Sequence, residues 1–121
     1  MNPRILVIED HLDNRDILRD LLTSVGYEII EASTGEEGVC AAVRQTPDLI
    51  LMDLHLPGID GYEATRRIKA YPTLGHIPII AVTSYALSGD DVKARQAGCD
   101  GYVAKPFHSR TLLATIRTYL A

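Results

Sequence analysis

The sequence predicts an α/β fold, a doubly wound five-stranded parallel sheet with helices on both faces. Three observations point to it. Apolar runs of about four residues recur along the chain, and continuous runs this short suit strands buried on both faces. Stretches of helical period, opened by capping signals, separate them. Two of the five runs are less apolar than the rest, which marks them as the edges.

The first run is Ile5-Leu6-Val7-Ile8. Leu49-Ile50-Leu51-Met52 and Ile79-Ile80-Ala81-Val82 are equally apolar and read as the other central strands. Glu28-Ile29-Ile30-Glu31-Ala32 carries charges inside its run, and Gly101-Tyr102-Val103-Ala104 is short and only moderately apolar. These second and fifth runs read as edge strands.

Between the strands, Ile17, Leu18, Leu21, Leu22 and Val25 form one helical face that stops at Gly26. Ser33-x-x-Glu36 and Thr34-x-x-Glu37 are both capping-box spacings, so a helix starts near residue 35. Asp60-x-x-Glu63 opens the next, with Ala64 and Ile68 inward. The stretch from Asp90 to Ala97 offers only Val92, Ala94 and Ala97 for burial, so it predicts a weakly anchored helix. Leu112, Leu113, Ile116, Tyr119 and Leu120 stripe the last helix. Five βα repeats imply right-handed crossovers. Strands two and five at the edges fit the order 2-1-3-4-5, in which ligands bind at the carboxyl ends of strands one and three.

Composition bounds the function. A chain of 121 residues is the size of one domain, here expected to be 1–121 without linker or repeat. Net charge is −4, against a basic nucleic-acid-binding face or a membrane-surface binder. Apolar runs stay far below the roughly 18–20 residues that cross a bilayer. No secretory leader pattern precedes the first strand, so a cytoplasmic location is expected. Cys40 and Cys99 form no CxxC pair and read as buried or half-buried thiols.

Five chemically matched positions follow the strands: Glu9 with Asp10, Asp53, Thr83 and Lys105. Side by side, the strand ends would gather three carboxylates, a hydroxyl and an ammonium. Two like charges ~5 Å apart repel by about 3 kcal/mol at an effective dielectric near 20. A hard divalent cation removes that conflict, and Mg2+ takes one or two carboxylates together with phosphate oxygens and water. A carboxylate such as Asp53 can attack phosphorus and form an acyl phosphate. An ammonium suits a phosphate oxygen. Taken singly, each residue has a plainer reading: a turn-capping Asp, a β-branched strand Thr, a surface Lys. Walker-type and dinucleotide-type glycine loops do not occur, which argues against ATP as donor. His11 and His55 are not spaced as a ligand pair and read as loop residues.

Glu9-Asp10, then Met52-Asp53-Leu54 with Pro57-Gly58, then Thr83-Ser84, then Lys105-Pro106 resemble, in order and over nearly the whole chain, the receiver domains of two-component response regulators. The resemblance implies a flavodoxin-like (CheY-like) fold with Asp53 as the phosphorylated residue. It implies Mg2+, or Mn2+ in its place, bound by Asp10, Asp53 and the backbone carbonyl of His55, with Glu9 acting through water. It implies that a cis Lys105-Pro106 bond aims the lysine inward, and that Thr83 and Ser84 flank the phosphoryl group. Tyr102 matches the switching aromatic, which turns inward as Thr83 moves and reshapes the surface of the fourth helix, fifth strand and fifth helix. The implied donor is a histidine kinase or a histidine phosphotransfer protein. The chain would then act as a phosphoacceptor that assists its own phosphorylation and dephosphorylation, not as an enzyme with an external substrate.

Glu9-Asp10-His11, Asn14 and His76-Ile77-Pro78-Ile79 further resemble stand-alone cell-cycle regulators and receivers attached to hybrid kinases. Output is expected through a downstream protein effector, without direct nucleic-acid or membrane contact. Two rivals come from other classes. A haloacid-dehalogenase-type phosphatase would need a second Asp two residues after the nucleophile, where His55 stands. A non-phosphorylated interaction module would not need the full acidic set.

His55 and Tyr85, each two residues past a site residue, are implied at the pocket mouth, where hydrolytic water must approach. Bulky Tyr85 is expected to shield the acyl phosphate. Tyr85→Ala should therefore speed loss of the phosphoryl group, followed by intact mass over time; an unchanged rate discards the shielding role.

Overall fold

The computed structural model describes residues 2–83, 89–106 and 108–120. Strands β1 (Arg4–Ile8), β2 (Glu28–Ala32), β3 (Leu49–Asp53), β4 (Ile79–Thr83) and β5 (Gly101–Ala104) alternate with helices α1 (Leu12–Ser24), α2 (Gly35–Gln45), α3 (Gly61–Ala70), α4 (Asp90–Ala97) and α5 (Ser109–Leu120). The strands pair in parallel in the order β2-β1-β3-β4-β5, as the edge assignment anticipates.

Alternation along the strands feeds two cores. Leu6, Ile8, Ile50, Met52, Ile79 and Ala81 face one way, against Ala42 of α2, Ala64 and Ile68 of α3 and Ala94 of α4. Ile5, Val7, Leu49, Leu51, Ile80 and Val82 face the other, against Leu18 and Leu22 of α1 and Leu112 and Ile116 of α5. Every residue of β3 and β4 is buried, as expected of strands covered on both faces.

Local chemistry sets the helix ends. Thr34 Oγ1 accepts the Glu37 N–H at 3.1 Å, and the Glu37 carboxylate accepts from the Ser33 N–H and hydroxyl, both at 3.0 Å. Of the two overlapping capping spacings, Thr34–Glu37 is therefore the one used. Those Ser33 hydrogen bonds hold the Glu37 carboxyl below its usual range. Asp60 caps α3 through the Glu63 N–H at 2.9 Å. Gly26, at φ +96°, takes the left-handed position past α1 that only glycine occupies without strain.

Three sequence expectations need correction. Ile17 and Val25, counted on the inner face of α1, are 60% and 41% exposed, so the buried stripe narrows to Leu18 and Leu22. Val92 is 52% exposed and does not anchor α4; Asp90 is the buried residue at that end of the helix. Cys40 is exposed, because α2 turns it from the sheet, whereas Cys99 is buried beside the Thr65 hydroxyl at 3.6 Å. Burial pushes the Cys99 thiol up in pKa.

Gly61 opens α3 where the chain folds back onto β3. Its N–H donates to the Leu54 carbonyl at 3.1 Å, and a Cβ there would fall on the Asp53 carbonyl and within 2.7 Å of Leu54 Cα. Neither obstacle is a flexible side-chain end. Gly61→Ala should lower stability by about 1–3 kcal/mol, the usual cost of overpacking, read as a lower urea midpoint at unchanged slope.

Candidate functional site

Parallel register builds the site. Ile8 pairs with Met52 and Met52 with Ala81, so the next residues, Glu9 and Asp53, emerge level at the carboxyl edge. Asp53 is the last residue of β3 and lies opposite Val82, one residue before Thr83. Thr83 pairs with Ala104, and its carbonyl accepts the Lys105 N–H at 2.6 Å, which brings Lys105 to the same edge.

The side chains converge there. Glu9, Asp53 and Thr83 are 2%, 6% and 0% exposed. One carboxylate oxygen from each of Glu9, Asp10 and Asp53 lies within 4.8 Å of the others, a grouping able to hold a metal ion. Lys105 Nζ meets Glu9 Oε1 at 2.5 Å and stands 3.9 Å from Asp53 Oδ2. The Lys105-Pro106 peptide bond is cis, as the sequence suggested. The His55 N–H donates to Asp53 Oδ1 at 3.0 Å, while the residue as a whole is exposed.

This grouping has a charge imbalance. Three carboxylates face one ammonium. Asp10 Oδ1 is buried and has no hydrogen-bond partner among the described residues. A buried carboxylate oxygen left without a partner loses its hydration for no return. Oxygen donors in such a set match a hard divalent cation. Asp10→Asn should therefore stabilise the metal-free chain by about 1–3 kcal/mol through relief of like-charge repulsion, measured by urea unfolding in chelator. Equal or lower stability would count against the repulsion.

Tyr102, the expected switch residue, is half-buried against the α2–α4 side of the sheet. Desolvation, then the charges of Asp90 and Asp91, raise its phenol above the usual range. Beside it, Tyr62 Oη sits 3.5 Å from Asp90 Oδ1, and burial followed by the Asp90 charge pushes the Tyr62 phenol up to about 12. Ser84 and Tyr85 lie outside the described residues. Pro106 is exposed beside Lys105. A groove of about 640 Å³ lined by Asn2, Arg4, Glu28, Asp48 and Leu120 lies at the opposite end of the sheet, so volume alone does not locate the site.

Sequence reasoning missed two participants. Arg15 donates through Nη1 to the Glu9 carbonyl at 3.0 Å, though nothing in its spacing separates it from a solvated helical arginine. Asp90 reads as a routine first-turn acid, and its burial follows only from the packing of α3 and β5 around it.

A carboxylate cluster and one lysine at the switch point of a 2-1-3-4-5 parallel sheet define a receiver-type signalling domain. The family model of the response regulator receiver domain matches residues 5–117. The polar-differentiation response regulator DivK of Brucella ovis is 41% identical over 120 residues, which cover 99% of this chain and 98% of that protein. The receiver domain of sensor histidine kinase PA1611 from Pseudomonas aeruginosa is 39% identical, with TM-score 0.93 over 99% of this chain and 98% of that one. That crystal structure holds a magnesium ion coordinated in its active-site cleft. A CheY-like receiver from Methanospirillum hungatei is 32% identical, with TM-score 0.91 over 99% of this chain and 94% of that one. The chain belongs to the response regulator receiver domain family of two-component signalling and is similar to DivK. Among the described residues no helix is long and apolar enough to cross a membrane.

Proposed function

We propose that the chain is a phosphoacceptor whose Asp53 takes a phosphoryl group from a phosphohistidine on a kinase or phosphotransfer protein, in a Mg2+-dependent reaction. The observation that carries this reading is the buried, unpartnered Asp10 Oδ1 within a three-carboxylate cluster that includes the nucleophile. The donor set fits Mg2+, with Mn2+ as a substitute. Asp10 and Asp53 would hold the ion directly, the His55 carbonyl would complete the protein ligands, and Glu9 would act through water. The bound ion would offset the charge on the phosphoryl oxygens.

In the step itself, an Asp53 carboxylate oxygen attacks phosphorus. The P–N bond to the donor imidazole breaks, its electron pair stays on the ring nitrogen, and an acyl phosphate results. The His55 N–H fixes the rotation of the Asp53 carboxylate. Lys105, now shared between Glu9 and Asp53, supplies the ammonium for an arriving phosphoryl oxygen. Thr83, at the same strand edge, and Ser84 are the hydroxyl donors of this reading.

Output follows from a shift in α4, β5 and α5 as Thr83 approaches the phosphoryl group and Tyr102 turns inward. A helix held by Ala94, Ala97 and Asp90 has little apolar packing to lose in such a shift. The downstream effector is a protein that distinguishes the two forms of this face. The chain acts on no external substrate and assists only its own phosphorylation and dephosphorylation.

Incubation with Mg2+ and acetyl phosphate, read by intact mass, should add one phosphoryl group to the chain and none to Asp53→Asn. Chelator should suppress the addition. An unmodified chain under these conditions would instead leave an inert interaction module.

A further inference from the structure

The acid pair leaves β1 through a turn whose local side-chain support is one long hydrogen bond, from the His11 N–H to Glu9 Oε2 at 3.3 Å. His11 stands at the N-cap of α1, yet its side chain caps nothing. That turn must nevertheless hold Asp10, with its unpartnered buried oxygen, beside Asp53. The support comes from one turn further along the helix. Arg15 Nη1 donates to the Glu9 carbonyl at 3.0 Å, and Arg15 Nε lies 3.5 Å from Glu31 Oε1 on the edge strand β2, an ion pair in which Nε makes no hydrogen bond among the described residues. The Glu9 N–H donates to the Ala32 carbonyl at 3.0 Å. Both polar groups of the Glu9 backbone are thus hydrogen-bonded, one to β2 and one to a guanidinium that pairs with β2 by charge alone. The Arg15 side chain is only 17% exposed, and Glu31 also pairs with Arg19 at 3.7 Å, which steadies the outer end of the bridge.

We infer that Arg15 is a positioning residue that holds the Glu9-Asp10 turn in cation-binding geometry by bracing it against β2. The inference rests on the Mg2+ site proposed above. A planar guanidinium suits the role because its donors diverge in fixed directions, so one group can bond a carbonyl and face a carboxylate together. The Lys105 ammonium holds the Glu9 side chain, and Arg15 holds its backbone.

Position and charge oppose each other here, which makes the inference testable. Removing a positive charge beside an acidic cluster should tighten cation binding by Coulomb attraction alone. Loss of the brace should weaken it, and supporting residues of this kind change metal affinity by about 10–100-fold. Isothermal titration of the full chain with MgCl2 should give Arg15→Gln a Kd raised about tenfold, with Arg15→Lys intermediate because it keeps one donor. Glu31→Gln, which leaves the Glu9 bond intact and loosens only the outer anchor, should weaken binding by about two- to threefold, and it serves if Arg15→Gln fails to fold. Unchanged or tighter binding in Arg15→Gln, or in Glu31→Gln where that is the folded variant, overturns the brace. Absence of Mg2+ binding in the unaltered chain would sink the cation site itself.

Discussion

Everything in this molecule turns on the crowding of Glu9, Asp10 and Asp53 at one strand edge against a single Lys105 ammonium. Left alone, that arrangement costs stability, because the carboxylates repel in a poorly hydrated crevice. The rest of the fold is the apparatus that keeps them there. Five parallel strands in register bring residues from distant parts of the chain to one line, and two apolar cores fix that line from both faces. An assembly of like charges of this kind is matched by a hard cation, whose charge repairs the imbalance.

The supports around the acids are of different kinds. Gly61 clears space so that α3 can start against the Asp53 carbonyl. The His55 N–H fixes the Asp53 carboxylate, and Lys105 and Arg15 take the side chain and the backbone of Glu9. None of these holds α4. That helix has a short apolar footprint and a buried Asp90 whose Oδ2 lacks a hydrogen-bond partner among the described residues. Light packing of this kind lets an element shift at low cost. The position of Tyr102, half-buried beside that helix, puts an aromatic at the boundary of the two.

Family membership and geometry agree on the class of protein, and both are consistent with the similarity to DivK and to a receiver borne by a sensor kinase. The Tyr62–Asp90 contact and the Arg15–Glu31 bridge lie outside the acidic crevice itself.

The sequence by itself determined the strands, which two lie at the edges, and the residues at the strand ends. Burial on both faces demands continuous apolar runs, and a parallel sheet places every strand's last residue on one edge. It also determined the cap at Asp60 and narrowed the α2 cap to Ser33 or Thr34, because those bonds are local. Only the tertiary structure decided that Ile17 and Val92 face solvent, that Asp90 is buried, and that Arg15 braces the Glu9 carbonyl. Helical period states which residues share a face, but the width of the buried stripe depends on the neighbouring element. An arginine's partner across a crossover is set by register, which no window of sequence contains.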